Sequence, residues 1–227
     1  MYNEISSENY KDHYNMLYTE LGSHLWSKNA HLEHANKIIS YIVPKTKTVL
    51  DAGCGDGVIL CRLIELGYES TGCDISHVAL LLAKSNILNK IGCEPKLVSA
   101  NFICLPFLDN SFDAIIFSEA IEHLKDNDTL LAMKELIRVA KPGAQMIISS
   151  CNRKEVEVIS DGRHAICVLK FSPSHIHERT ATELTEELSK YISIHKTEVG
   201  GVPLSFKFKC GISFDDPKIY INGKVVK

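Results

Sequence analysis

Two hydrophobic periods alternate along the chain from about residue 46 onward. Apolar runs rich in β-branched residues fit buried strands over Thr46–Asp51, Ser70–Asp74, Lys96–Ala100, Phe112–Ser118 and Gln145–Ser150. Between them, Val58–Leu66, His77–Ile91 and residues 128–140 repeat apolar positions at helical spacing, and Gly67, Gly92 and Lys141-Pro142-Gly143 close these helices. Ala114-Ile115-Ile116-Phe117 is apolar throughout, as a central strand covered on both faces would be. This alternation predicts an α/β fold, a doubly wound sheet of mostly parallel strands joined by helical crossovers.

The flanks are read from the same periods. Tyr10, Tyr14 and Tyr18 fall at i, i+4 and i+8 on one face of a helix, which either packs on the domain or forms a lid over a site. Leu32, Ala35, Ile38, Ile39 and Ile42 give the next helix its apolar face before Pro44 stops it. Residues 152–177 lack a period and read as a long loop of the kind that carries function. Thr180–Tyr191 is helical, with Thr180 and Glu183 spaced as a capping box. Ile192–Val199 and Leu204–Phe214 read as strands, and Lys218–Ile221 and Lys224–Val226 read as a C-terminal β-hairpin turning at Asn222-Gly223. The expected organisation is one domain: a helical cap over 1–43, a ligand-binding half over 45–151, and a substrate loop, helix and strands over 152–227.

Composition narrows the picture modestly. The chain has 227 residues, 45% hydrophobic and 23% charged, with a formal charge of −3, an ordinary globular balance that argues against a large nucleic-acid footprint. Its eight cysteines include no CxxC pair, and several sit inside apolar runs, as reduced thiols of a cytoplasmic protein do. The N-terminus lacks a signal-peptide pattern, and no run approaches the ~20 apolar residues that span a bilayer, so no membrane association is expected.

The chemistry gathers at Val49-Leu50-Asp51-Ala52-Gly53-Cys54-Gly55-Asp56-Gly57, where a strand breaks into a glycine turn that opens onto a helix. Such a turn lets backbone approach a ligand and presents free N–H groups. Val58 stands where the dinucleotide fingerprint needs its last glycine, so a pyrophosphate cradle is not specified. The stretch instead resembles the first motif of class I S-adenosylmethionine-dependent methyltransferases. Further likenesses follow in order: Gly72-Cys73-Asp74-Ile75-Ser76, Ala100-Asn101-Phe102-Ile103-Cys104-Leu105-Pro106-Phe107, Asp109-Asn110-Ser111-Phe112-Asp113 and Arg138-Val139-Ala140-Lys141-Pro142-Gly143. The resemblance covers roughly residues 45–200 and implies a seven-stranded Rossmann-like methyltransferase sheet. It implies S-adenosylmethionine as cofactor, held by Asp51, Gly53, Cys54, Gly55, Asp74, Ile75, Asn101, Phe102 and Ser118. Asp74 would accept the ribose hydroxyls, Ile75 would lie on the adenine, and Asn101 replaces a usual aspartate at the adenine edge.

After the fourth strand comes Ser118-Glu119-Ala120-Ile121-Glu122-His123-Leu124. On a helix, Glu119, Glu122 and His123 share one face and make a plausible divalent-cation site. The E-x-x-E-H pattern is similar to that of ubiquinone-biosynthesis O-methyltransferases and of small-RNA terminal 2′-O-methyltransferases. In that comparison, His175 takes the later metal-ligand position and His177 lies beside it. Two readings follow. Mg²⁺ or Mn²⁺ on Glu119, Glu122, His123 and His175 would hold two vicinal oxygens and acidify one. Alternatively, His123 or His177 is the general base, imidazole being suited to proton transfer near neutral pH. The favoured expectation is O-methylation of a small-molecule acceptor. RNA is the second reading and a non-catalytic cofactor-binding module the third. His24, His31 and His34 are expected to have surface or packing roles.

Overall fold

The computed structural model describes residues 10–21, 29–151, 155–160, 163–168, 176–199, 206–207, 213–214 and 218–225. Seven strands form one sheet in the order β3-β2-β1-β4-β5-β11-β8. Strands β1 (Thr48–Ala52), β2 (Glu69–Asp74), β3 (Lys96–Ser99), β4 (Phe112–Ser118) and β5 (Ala140–Cys151) are parallel to one another. β11 (Lys218–Val225) runs antiparallel between β5 and β8 (Ile192–Val199). Helices α3 (Val58–Glu65), α4 (His77–Ile91) and α5 (Asp126–Val139) are the crossovers, and α6 (Ala181–Leu188) precedes β8. The expected doubly wound α/β sheet is therefore the one observed.

Side-chain alternation explains why both faces are covered. Leu50, Ile115, Phe117, Met146 and Ile148 point to one side, where Met133 and Leu136 of α5 and Leu184 and Leu188 of α6 pack. Val49, Ala114, Ile116 and Ile147 point to the other and meet Leu63 of α3 and Ile38 of α2 (Asn29–Ile39). Successive strand residues face opposite ways, so a run without polar interruption can be satisfied only by apolar helices on both sides.

Local signals set the ends. Ser76 caps α4 by accepting from the Ala79 N–H at 3.1 Å. Gly92 takes the left-handed conformation (φ 66°) that ends α4. Thr180 and Glu183 form the expected capping box of α6. α1 (Tyr10–Leu21) docks on the start of α4, with Asn15 Oδ1 accepting from Ser76 Oγ at 2.9 Å and from Val78 N at 3.3 Å.

Two expectations are corrected. Asn222-Gly223 does not turn a hairpin but lies inside β11, paired with β5 on one side and β8 on the other. The pairing with β8 shifts there, and a Cβ on Gly223 would stand 2.9 Å from both Ile192 Cδ1 and the Ser193 carbonyl oxygen. The glycine serves close backbone approach rather than turn geometry. The region read as an irregular loop over 152–177 contains an antiparallel pair, β6 (Glu155–Ser160) with β7 (Arg163–Val168). A second short pair joins β9 (Phe206–Lys207) and β10 (Ser213–Phe214).

Candidate functional site

The carboxyl ends of β1, β2 and β4 enclose the glycine turn. Gly53, Gly55 and Gly57 all take positive φ, at 80°, 52° and 87°. The Gly53 and Cys54 N–H groups donate to the Cys73 carbonyl at 2.8 and 3.0 Å, which draws the turn onto β2. A Cβ on Gly53 would lie 3.1 Å from Phe102 Cζ and 3.3 Å from Ala120 Cβ, and one on Gly57 would lie 2.9 Å from Ala83 Cβ. Only glycine gives this turn both its dihedral angles and its clearance.

Asp74 ends β2, nearly buried. Its Oδ2 accepts from the Gly55 N–H at 2.9 Å and its Oδ1 from the Ser76 N–H at 2.8 Å. Burial pushes its pKa above the usual carboxylate range, against the lowering pull of these N–H groups. Asp51 lies fully buried below the turn, and its Oδ2 has no hydrogen-bond partner. Burial, aided by the charge of Asp74 and opposed by the Leu60 N–H, raises Asp51 to about 7. Asp56 is also raised to about 7, first by burial. Three carboxyl groups therefore surround one glycine turn, and Asp51 and Asp56 carry their full negative charge, suited to a cationic ligand, only above about pH 7.

Gly53, Asp74, Ile75, Asn101 and Phe102 line one cavity of about 140 Å³. Phe102 is braced edge-on against Phe117 at 5.0 Å, and Asn101 Oδ1 accepts from the Ile103 N–H at 3.2 Å, leaving the oxygen a second lone pair. α1 forms the facing wall with Tyr14, Leu17 and Tyr18. Tyr18 Oη lies 2.5 Å from where a Cβ on Gly55 would stand. Tyr14 Oη is buried without a hydrogen-bond partner, and burial foremost pushes its pKa well above the usual phenol value. The tyrosine face read from the sequence is thus the site's cover. The cavity is smaller than the ~300 Å³ typical of ligand sites, and α1 supplies one wall of it.

The segment after β4 departs from the expected helix. Glu119 takes a left-handed backbone (φ 52°), and Ile121–His123 form a single 3₁₀ turn. Glu119 Oε1 accepts from Ser149 Oγ at 3.0 Å. Glu122 is fully buried, its Oε1 facing the Cys151 N–H at 3.4 Å, while its carbonyl accepts from the Ile176 and His177 N–H groups at 3.0 Å each. Glu119 and His123 line the cavity; Glu122 does not. The helical face that would have joined these three residues is therefore not formed. Among the described residues, no three His, Cys, Asp or Glu side chains come together in a metal-binding group, and His175 lies outside those residues. The described members of the expected Mg²⁺ or Mn²⁺ set, Glu119, Glu122 and His123, do not converge on one point.

His123 and Tyr14 meet edge-on, with ring centroids 5.5 Å apart. His177 is turned away from the cavity, its Nδ1 2.7 Å from Asp126 Oδ1. Ser118 also does not reach the cavity, since its Oγ lies 2.7 Å from Ser149 Oγ and 2.9 Å from His34 Nε2. His34 in turn reaches Tyr220 Oη through Nδ1 at 3.1 Å, the packing role expected of it. Cys54 and Gly55 support the floor of the turn without lining the cavity.

Arg179 is a site-supporting residue that the sequence patterns do not single out. Its guanidinium is buried, paired with Glu187, and donates to the carbonyls of Ile121 at 3.4 Å and His177 at 3.0 Å. It ties the turn that carries His123 to α6.

Comparisons with known proteins agree with this geometry. A family described as a methyltransferase domain matches residues 50–148. The ubiquinone biosynthesis O-methyltransferase of Nitrosospira multiformis is 29% identical over 173 residues, covering 71% of this chain and 70% of that protein. The ubiquinone/menaquinone biosynthesis C-methyltransferase of Francisella tularensis is 32% identical over 123 residues, covering 52% of this chain and 48% of its own. Among solved structures, the 1,6-didemethyltoxoflavin-N1-methyltransferase of Burkholderia thailandensis, holding its substrate and S-adenosylhomocysteine, superposes with a TM-score of 0.69 at 17% identity. That match covers 100% of this chain and 93% of that one.

Proposed function

Because the chain belongs to the class I S-adenosylmethionine-dependent methyltransferase family, we propose that it methylates an oxygen of a small-molecule acceptor, with His123 as general base. The cofactor fits the residues present. The Gly53 cradle has no room for a side chain, Asp74 sets an acceptor at the strand end, and Ile75 and Phe102 offer apolar surface for a purine. Gly53, Asp74, Ile75, Asn101 and Phe102 would hold it, and when bound it supplies an electrophilic methyl group on a sulfonium. The chain's own task is to place an acceptor oxygen in line and remove its proton; positioning of this kind is worth up to ~7–11 kcal/mol.

One observation carries the assignment of the base: His123 is a wall of the cavity that also contains Gly53 and Asp74, and it is steadied by the edge of Tyr14. Its imidazole can take the acceptor proton, while Tyr14 and the rest of α1 exclude water. His177, paired with Asp126 away from the cavity, is left with a structural role. The aromatic and apolar wall that α1 lays across the cavity, Tyr10, Tyr14 and Leu17, supports a ring acceptor. This reading assigns no metal a role, since Glu119 faces Ser149 Oγ while Glu122 faces the Cys151 N–H and stands outside the cavity.

Mass spectrometry of cell extract incubated with isotopically labelled S-adenosylmethionine identifies the acceptor. With that acceptor, His123→Ala is expected to lower kcat by ~10²–10⁴-fold, flatten the acid limb of the pH–rate profile and leave cofactor affinity intact. A variant with unchanged kcat and pH profile would reject His123 as the base, and a labelled carbon or nitrogen would reject the acceptor atom.

A further inference from the structure

A second cavity, of about 320 Å³, opens at the other end of the sheet, where β1, β4 and β5 begin and β11 ends. Its size falls within the ~300–1,000 Å³ range of ligand sites. Two irregularities build it. Phe112 pairs with Ala140 but Ala114 pairs with Gln145, so residues 141–144 loop out of β5, with Gly143 at φ 73°. Across the sheet, Asn222 pairs with Lys196 and Gly223 with Ile194, which leaves His195 as the extra residue of a bulge in β8. A bulge re-aims the side chain it carries, and His195 is thereby brought to line this cavity.

The lining is cationic. Lys45, Lys141, Lys224 and His195 face the cavity, and Asp113 is the acidic residue among them. Asp113 is already committed: Oδ1 accepts from Lys141 Nζ at 2.7 Å, and Oδ2 from the Lys47 and Thr48 N–H groups and Thr48 Oγ1 at 2.9–3.1 Å. That carboxylate balances Lys141 alone. Among the described residues, neither Lys45 nor Lys224 has an ion-pair partner. Gln145 fixes the floor, its Oε1 accepting from the Val43 N–H at 3.1 Å and its Nε2 donating to Asn222 Oδ1 at 2.9 Å. The cavity therefore combines a rigid polar floor, two uncompensated ammonium groups and an imidazole, in a chain whose overall charge is −3.

We propose that this cavity is a second ligand site, distinct from the cofactor site, that binds a small multivalent oxyanion such as a polyphosphate or tricarboxylate. Two lysines reaching from different segments match a ligand bearing at least two separated negative oxygens, and the outward loop at 141–144 leaves it room. A single carboxylate or inorganic phosphate would engage fewer cations and bind more weakly.

The test is isothermal titration of the full chain with pyrophosphate and, separately, citrate, at about 0.15 M salt where non-specific attraction is screened. The expected result is saturable one-to-one binding of at least one probe, weakened about tenfold or more in Lys45→Ala/Lys224→Ala. That variant should retain the wild-type circular dichroism and S-adenosylmethionine affinity, because both lysines are exposed and remote from Gly53. Which probe binds decides between phosphate and carboxylate ligands. Absence of saturable binding of either, equal binding to the double variant, or displacement of the probe by S-adenosylmethionine would overturn the proposal.

Discussion

Replacing Asp51 by asparagine tests the electrostatic account of the glycine turn. Asp51 is fully buried, its Oδ2 has no hydrogen-bond partner, and its pKa rises from 3.8 to about 7, chiefly through burial and then through Asp74. Its folded-state pKa lies above its unfolded one, so between those values the native chain holds a proton that the unfolded chain has lost. Stability from this group is therefore fully present below about pH 4 and is lost as pH rises through 7. A shift of about three units corresponds to ~4 kcal/mol in total, of which more than half falls between pH 5 and pH 8. Asparagine cannot ionise, so its variant should lose that part of the slope. Its amide nitrogen lacks an acceptor there, costing ~1–3 kcal/mol at every pH; the variant should thus be less stable than wild type at pH 5 and comparable or more stable at pH 8. Urea unfolding at a series of pH values reads both curves. Parallel curves would refute the reasoning, since they would mean that Asp51 titrates alike folded and unfolded. The same cost implies a ligand effect: a sulfonium should stabilise the chain more at pH 8 than at pH 5, and neutral S-adenosylhomocysteine should show less of that difference.

Other expectations test the frame around the site. Arg179→Met breaks the pair with the partly exposed Glu187 and removes one donor from the Ile121 carbonyl, which keeps the Leu124 N–H, so it should cost ~1–3 kcal/mol by denaturant unfolding and lower kcat through the turn that holds His123; Glu187→Gln in the same chain should recover part of the stability. Gly223→Ala should cost ~1–3 kcal/mol from overpacking against Ile192 and Ser193, whereas a solvent-facing hairpin glycine would give a much smaller loss. Cofactor binding should change hydrogen exchange in residues 10–21, since a ligand of ordinary size needs more than the present ~140 Å³ and α1 is the wall built from one docked helix. Activity should be unchanged by excess chelator, and a loss restored by Mg²⁺ would place ligands where the described donors do not meet.

Much of the fold was legible because its signals are local. The α4 and β4 boundaries follow from periodicity and glycine placement at the observed residues, and the Thr180/Glu183 box needs only sequence spacing. The glycine turn and Asp74 were legible because their chemistry depends on backbone clearance and strand-end position. Failures fall where long-range contact overrides local preference. Asn222-Gly223 is an intrinsically good turn, but a bulged partner strand recruits its missing Cβ instead. Glu119, Glu122 and His123 have helical spacing, yet Ser149 and Cys151 of the neighbouring strand draw the acids apart from the imidazole. Arg179 gave no local signal because its partners are carbonyls and a carboxylate supplied by tertiary packing. Ser118 lies at the strand end where a ligand contact was expected, but His34, from a helix whose docking the sequence does not specify, occupies it.

The most direct test of the central claim is calorimetric titration of S-adenosylmethionine into wild type and Asp74→Ala. The account predicts one-to-one binding to wild type and a loss of at least about 100-fold in the variant, two hydrogen bonds to a charged acceptor being worth ~3 kcal/mol or more, with the fold retained by circular dichroism. No binding to wild type, or equal affinity in the folded variant, would contradict it.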